Sequence, residues 1–375
     1  MCYLSSKRHR VEAIAYFNKA ITAVSTNYSG SSYNEKNAPL IAYKFLGDAY
    51  HLNYQFDNAI DTYGKYISVM AEKNSTDKVL LAETNRKIEM CKTGKILVAS
   101  PVKVKIEDLG LNVNSIYADY SPVISADQSS LFFTSRRNGS TGGLKDEEGN
   151  FLEDIYMTTK TKGGWSKAAN IGAPINTSEN EATVGISADG QTILIYKDDN
   201  GDGNIYSTSL DGDKWSKPVK LNENINTKYW EPSAFISADG NTLYFTSDRP
   251  GGYGGRDLYT SKQTPKNDWG KAVNMGPEIN TQYDEDAPFI HPDEKTLYFS
   301  SNGHNTMGGF DIFISMLSDD TVWSEPINAG YPINTPDDDI YYVVSPDGLK
   351  AYFSSFREKG VGEKDIYMAT YLDKK

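Results

Sequence analysis

The feature that most constrains this chain is a motif written five times along it. In its clearest copy, Ser237-Ala-Asp239-Gly240 leads into Leu243-Tyr-Phe-Thr-Ser247, and a Gly-rich loop then leads to Asp257-Leu258-Tyr259. Asp239-Gly240 is a turn signal, because Asp bonds its own downstream backbone and Gly accepts the positive φ of a tight turn. Leu243 to Ser247 is a β-branched and aromatic run that reads as a buried strand, and Leu258-Tyr259 opens a second. The same order recurs around Asp127, Asp189, Asp293 and Asp347, with successive anchors 50 to 62 residues apart. That period is one four-stranded propeller blade. The expected body is an all-β propeller of five blades, or of six if one blade has diverged past recognition.

Four copies are followed by a third shape, a Trp strand that runs to an Ile-Asn-Thr turn. These are Trp165 to Ile175-Asn176-Thr177, Trp215 to Ile225-Asn226-Thr227, Trp269 to Ile279-Asn280-Thr281, and Trp323 to Ile333-Asn334-Thr335. The last copy ends at Asp365-Ile-Tyr-Met-Ala-Thr370 without one. Conversely, Val102-Lys-Val-Lys-Ile106 alternates with a period of two, ends at Leu109-Gly110 and Asn114-Ser115, and has no blade before it. The two gaps are complementary. Segment 102–110 is therefore expected to complete the last blade and close the ring, which removes exposed strand edges.

Ahead of that segment the period is helical. A first helix is expected over 3–24, with Ala13, Ile14, Phe17, Ala20 and Ile21 at helical spacing. A closing helix from Asp77 to Thr93 places Leu80, Leu81, Thr84, Ile88 and Cys91 on one face. Between them, Leu46-Gly47-Asp-Ala-Tyr50 followed by Ala59 and Tyr63 resembles a tetratricopeptide repeat. Gly47 and Ala59 are then small because two antiparallel helices pack closely, and Ala13 with Phe17 matches the second helix of a preceding repeat. The expected organisation is α+β multidomain: a helical tetratricopeptide-repeat domain over 1–95, truncated at its N-terminus, and a propeller over 96–375.

Charge divides at the same place. Up to Lys95 there are 13 Lys and Arg against 9 Asp and Glu, and beyond it 25 against 41. An acidic propeller is a poor surface for nucleic acid, whose phosphates need cations, or for an anionic membrane. No apolar run approaches the roughly 18 residues of a membrane span. Cys2 and Cys91 cannot build a disulfide framework, and no Cys/His cluster has metal spacing. Met1-Cys-Tyr-Leu runs straight into a helical pattern with no leader, so a segment of a longer protein is expected.

The repeated Ser-Ala-Asp-Gly-x-x-Leu-Tyr-Phe-x-Ser…Asp-Ile-Tyr motif resembles the WD40-like repeat of the TolB type. Coupled to helical repeats, and with Leu109-Gly, Asn114-Ser and Asp119-Tyr-Ser-Pro leading in, the chain is similar to a narrower group of bacterial envelope proteins. These carry tetratricopeptide repeats, such a propeller and often a peptidoglycan-binding domain of the OmpA type; PorE-like lipoproteins of the type IX secretion machinery are among them. The resemblance implies a periplasmic, outer-membrane-associated protein. No OmpA-like segment follows the last blade here, so peptidoglycan attachment is not carried over to these residues.

Two constellations stand out. Eight residues before each anchor Asp lies a carboxylate: Asp119, Glu181, Glu231, Glu285 and Asp339. Equivalent positions on the first strand of every blade would form an acidic ring near one channel mouth. They could bind a cation or a basic peptide tip, or accept backbone N–H groups at the Ile-Asn-Thr turns; repetition in every blade favours the structural role. The second is Asp198, Asn200, Asp202 and Asn204, whose spacing resembles the start of an EF-hand-like loop and marks a candidate calcium site. Ser209 stands where the bidentate Glu would be, and a plain Asx turn is the alternative.

No catalytic residue emerges. The four histidines are scattered, and no Gly-x-Ser-x-Gly elbow or phosphate loop exists. Glycosidase propellers use differentiated carboxylates, whereas these are repeated copies. The expected function is a non-catalytic, protein-binding scaffold of the cell envelope that requires no cofactor. It would bind envelope proteins through its helical groove and propeller face, in a secretion or peptidoglycan-linked assembly. A glycan-binding or glycan-hydrolysing propeller is the alternative.

Overall fold

The computed structural model describes residues 9–25, 27–31, 34–72, 77–198, 201–318 and 322–372, with Leu4 and Ser6. In it, each repeat turns where its Asp captures the backbone. Ser237 Oγ donates to Asp239 Oδ1 at 2.6 Å, and the same oxygen accepts the Asn241 N–H at 2.9 Å. Gly240 sits at φ 75°, where a side chain would be strained. The chain reverses there into a strand buried along its whole length, Thr242–Ser247.

Strand β1 (Val104–Asp108) precedes the first blade. Blade 1 comprises β2 (Asp119–Ile124), β3 (Ser130–Ser135), β4 (Asp154–Thr161), β5 (Gly164–Trp165) and β6 (Ala169–Asn170). Blade 2 follows with β7 (Glu181–Ile186), β8 (Thr192–Lys197), β9 (Asn204–Asp211), β10 (Lys214–Trp215) and β11 (Val219–Lys220). Blade 3 has β12 (Ala234–Ile236), β13 (Thr242–Ser247), β14 (Asp257–Lys262) and β15 (Val273–Asn274). In blade 4 these are β16 (Glu285–Ile290), β17 (Thr296–Ser301), β18 (Asp311–Ser318), β19 (Val322–Trp323) and β20 (Ile327–Asn328). Blade 5 consists of β21 (Asp339–Val344), β22 (Lys350–Ser355) and β23 (Asp365–Tyr371), with β1 as its outer strand. Val104 lies opposite Tyr371 and Asp108 opposite Tyr367, antiparallel. Among the described residues the strands make five sheets, a five-bladed propeller with no sixth sheet.

The Ile-Asn-Thr turns stitch the blades. Asn280 takes the Leu258 N–H on Oδ1 at 2.8 Å and returns Nδ2–H to the Leu258 carbonyl at 3.0 Å. Asn176, Asn226 and Asn334 do the same to Ile155, Ile205 and Ile312. Asn114, following β1, does it to Ile366 of blade 5, as an outer strand of that blade should.

The channel has unlike ends. Where the inner strands finish, Val123, Ile186, Phe235, Phe289 and Val343 form an apolar funnel. Where they start, the lining is polar and aromatic.

Helices α1 (Arg10–Ile21), α2 (Ala42–Leu52), α3 (Phe56–Glu72) and α4 (Lys78–Ala99) precede the propeller. Asp77 caps α4 by accepting the Leu80 N–H at 3.0 Å. That helix continues to Ala99, past the end expected at Thr93 and the boundary expected at 95. Gly47 lies against the Tyr63 ring so closely that a Cβ would come within 2.5 Å of it, while Ala59 and Tyr63 are fully buried. Cys91 is buried too, and burial pushes its thiol up to about 12, so it is an inert core residue. Cys2 lies outside the described residues.

The helices dock on the rim of blades 4 and 5, at the polar end of the channel. Met307, at the tip of the β17–β18 loop, is fully buried in a cluster with Phe56, Ala59, Tyr63 and Cys91. Its carbonyl accepts His51 Nε2–H at 2.8 Å, and its N–H donates to Asp311 Oδ2 at 2.8 Å. Arg86 of α4 donates to the carbonyls of Asn302, Gly303 and His304 at 2.5 to 3.1 Å and lies over the Tyr283 ring. Arg10 of α1 forms a two-pronged pair with Asp337 at 2.5 and 2.7 Å and lies over Phe356. The charge asymmetry between the halves is used in part to hold them together.

Candidate functional site

The five in-register carboxylates are not an open acidic ring. All are fully buried, at 0% exposure. Each caps the turn four residues before it: the N–H of Ser115, Thr177, Thr227, Thr281 or Thr335 donates to it at 2.6 to 2.9 Å. The hydroxyl of the same residue donates as well, at 2.5 to 2.9 Å. A buried carboxylate needs such compensation, because its oxygens have lost water. A cation completes the set in four blades. Arg137 meets Asp119 at 2.5 Å, Lys197 meets Glu181 at 2.8 Å, Arg249 meets Glu231 at 3.3 Å and Arg357 meets Asp339 at 3.1 Å.

Blade 4 departs from this pattern. Gly303 stands where blades 1, 3 and 5 have Arg, and Glu285 is bonded instead by Thr281 and by Ser301 Oγ at 2.7 Å. Burial pushes its carboxyl up to about 7. His304 takes over the rest of the Arg role: its Nε2–H donates to the Ile279 carbonyl at 2.9 Å, and its ring packs on Phe299 and Phe313. Burial pulls its pKa down.

In the candidate calcium loop, Asp198 Oδ1 accepts the Gly201 N–H at 2.8 Å, and Asp202 Oδ1 accepts Asn204 Nδ2–H at 2.9 Å. Asn204 is buried, and Asn200 lies outside the described residues. Among the described residues, no group of three His, Cys, Asp or Glu side chains is placed to hold a metal ion. The visible carboxylates serve the turn itself.

The site that the repeat pattern concealed is the polar channel mouth, a cavity of about 190 Å³. Tyr120 and Tyr341 stack there with ring centroids 6.3 Å apart. Tyr196 accepts the Trp230 indole N–H at 3.2 Å, and Trp230 remains 41% exposed. Glu153, from the loop before β4, accepts the Tyr120 hydroxyl and lies 3.6 Å from Arg136 Nε. Burial raises its pKa, and Asp198 and Asp146 nearby act in the same direction. Asp286, which does not line the cavity, is paired with Arg256 at 2.6 Å and accepts Ser233 Oγ–H at 2.5 Å, and Arg256 lies over the Trp230 ring. These residues are non-equivalent between blades. The residue after the buried carboxylate is Tyr120, Ala182, Pro232, Asp286 or Ile340 in turn, and that divergence was the available signal.

No family model matches the chain, and no curated protein matches it. Solved structures are similar to it over part of the chain. TolB from Acinetobacter baumannii is 16% identical, with 70% of this chain and 56% of that one covered and a TM-score of 0.42, so little more than half of that protein is spanned. An α-L-arabinofuranosidase from Lactobacillus brevis is 14% identical over 69% of this chain and 91% of its own, with a TM-score of 0.43. CoXyl43, a GH43 β-xylosidase/α-arabinofuranosidase from a compost metagenome, is 10% identical over 70% and 92%, with a TM-score of 0.46. Each of these TM-scores is below 0.5, and none of the likenesses assigns an activity to this chain.

Proposed function

We propose that this chain is a non-catalytic binding scaffold of the bacterial cell envelope. It holds one partner on its helices and another at the propeller's polar face, in a fixed mutual orientation. The observation that carries this reading is the docking of the helices beside the channel mouth through Met307, Arg86 and Arg10. A fixed joint of this kind suits an adaptor. The helical groove lined by Lys44, Lys78, Val79, Lys87 and Met90 is basic and apolar, a fit for an acidic amphipathic segment. The envelope setting, the tetratricopeptide character of the helices and a place in a secretion or peptidoglycan-linked assembly rest on the motif resemblance. Among the described residues, no helix is long and apolar enough to cross a membrane.

The test is retention of proteins from envelope extract by the intact chain, by a Lys78→Glu/Val79→Asp variant and by Trp230→Leu. Loss of a different protein in each variant is expected. Identical retention by all three baits, or no protein retained while a sugar raises the melting temperature, overturns the scaffold.

A second reading, glycan binding or hydrolysis, draws support from the non-equivalent carboxylates Glu153 and Asp198 lining the mouth. It requires a glycan turnover that Glu153→Gln abolishes.

A further inference from the structure

The cavity at the channel mouth has a composition that selects for one kind of ligand. Four aromatic side chains line it, Tyr120, Tyr196, Trp230 and Tyr341, together with the carboxylates Glu153 and Asp198. Among the described residues lining it there is no Lys or Arg. The nearest cations are already committed. Arg136 is shared between Asp146 at 3.1 Å and Glu153 at 3.6 Å. Arg256 lies over Trp230 but is matched by Asp286 at 2.6 Å and Asp284 at 3.5 Å. The cavity therefore keeps an excess of negative charge among ring faces, which themselves attract cations.

Some neutral polar groups of the lining bond within the protein. Ser121 Oγ–H donates to the Thr183 carbonyl, Thr183 Oγ1–H donates to the Ser121 carbonyl at 2.6 Å, and Asn180 Oδ1 accepts the Glu153 N–H at 2.9 Å. A divalent metal, which needs several oxygens, would find two carboxylates and aromatic carbon. An alkylammonium needs one carboxylate and an apolar, π-rich sleeve for its stem, and both are present.

We propose that the cavity formed by Tyr120, Glu153, Tyr196, Trp230 and Tyr341 binds an alkylammonium group. The raised pKa of Glu153 fits this role, since an arriving cation relieves the burial that disfavours its charge. The ammonium has two sources, a lysine side chain of a protein partner or a free amine.

Isothermal titration of the full chain with n-butylammonium chloride, and with a capped Ala-Lys-Ala peptide, tests the site. Matched sodium chloride, n-butanol and xylose serve as controls. Saturable binding of either ammonium is expected, weakened at least about tenfold in Glu153→Gln and in Trp230→Leu. Asp198 is exposed, so Asp198→Asn gives a weaker site in a fold that is not at risk, and melting curves confirm that the other two variants fold. Tighter binding of the peptide assigns the site to a protein partner. Binding of butylammonium alone keeps the cage but removes it from the scaffold's interfaces. Absence of saturable binding by both, equal binding of n-butanol, tighter binding of xylose, or unchanged affinity in all three variants overturns the proposal.

Discussion

Single positions decide how closely this chain packs. Gly47 is a helical residue with no room for a Cβ beside the Tyr63 ring. Gly47→Ala is expected to destabilise the protein by about 1–3 kcal/mol, measured by denaturant unfolding, because the ring cannot leave a filled core. The opposite change is expected at Gln128, which occupies the turn position that Gly190, Gly240 and Gly348 take in other copies, at φ 58°. Gln128→Gly should raise stability by about 0.5–1 kcal/mol; a loss would mean that the Gln side chain makes a compensating contact. Asp198 and Asp202 already serve their own turn. Melting is therefore expected to be the same in calcium and in chelator, and a rise in calcium that is lost in Asp202→Ala would show that the loop holds the ion. Gly47 was legible in the sequence because its smallness sat inside a periodic helix. Glu153 and Trp230 were not, because repetition draws the eye to what the blades share. Function at a propeller mouth lies in what they do not share.

At the level of elements, the closing strand was legible because a missing piece at one end of the chain matched an orphan piece at the other. β1 now lies on β23 over the register Val104–Tyr371 to Asp108–Tyr367. The joint between helices and propeller was not legible, since its apolar anchor, Met307, is a single residue in an otherwise Gly- and Asn-rich loop and its other contacts, Arg86, Arg10 and Tyr54, are scattered along the helical region. Met307→Ala is expected to cost about 2–5 kcal/mol, the range for emptying a filled core site, and to split thermal unfolding into two transitions. The joint should also be acid-sensitive. Burial, aided by the Lys87 charge, pulls the His51 pKa from 6.5 down to about 4. The unfolded chain therefore binds a proton that the folded chain refuses, and stability is lost as pH falls from about 6.5 toward 4. His51→Gln should flatten that limb of the stability profile, while an unchanged limb would place the acid sensitivity elsewhere.

For the whole molecule, five blades close into a ring whose repeated carboxylates are buried and bonded to their own turns, and a helical array docks on the rim beside the polar mouth. The scaffold reading depends on that docking being fixed, since two surfaces joined by a hinge would hold no orientation. Hydrogen exchange across the full chain, comparing the native protein with Met307→Ala, tests it most directly. In the native protein, slow exchange is expected in α2–α4 and in 301–311 alike. In the variant both should lose protection together, while β2–β15 of blades 1–3 stay unchanged. Protection that is weak at 301–311 from the outset, or that survives there when Met307 is removed, would contradict a fixed joint between helices and propeller.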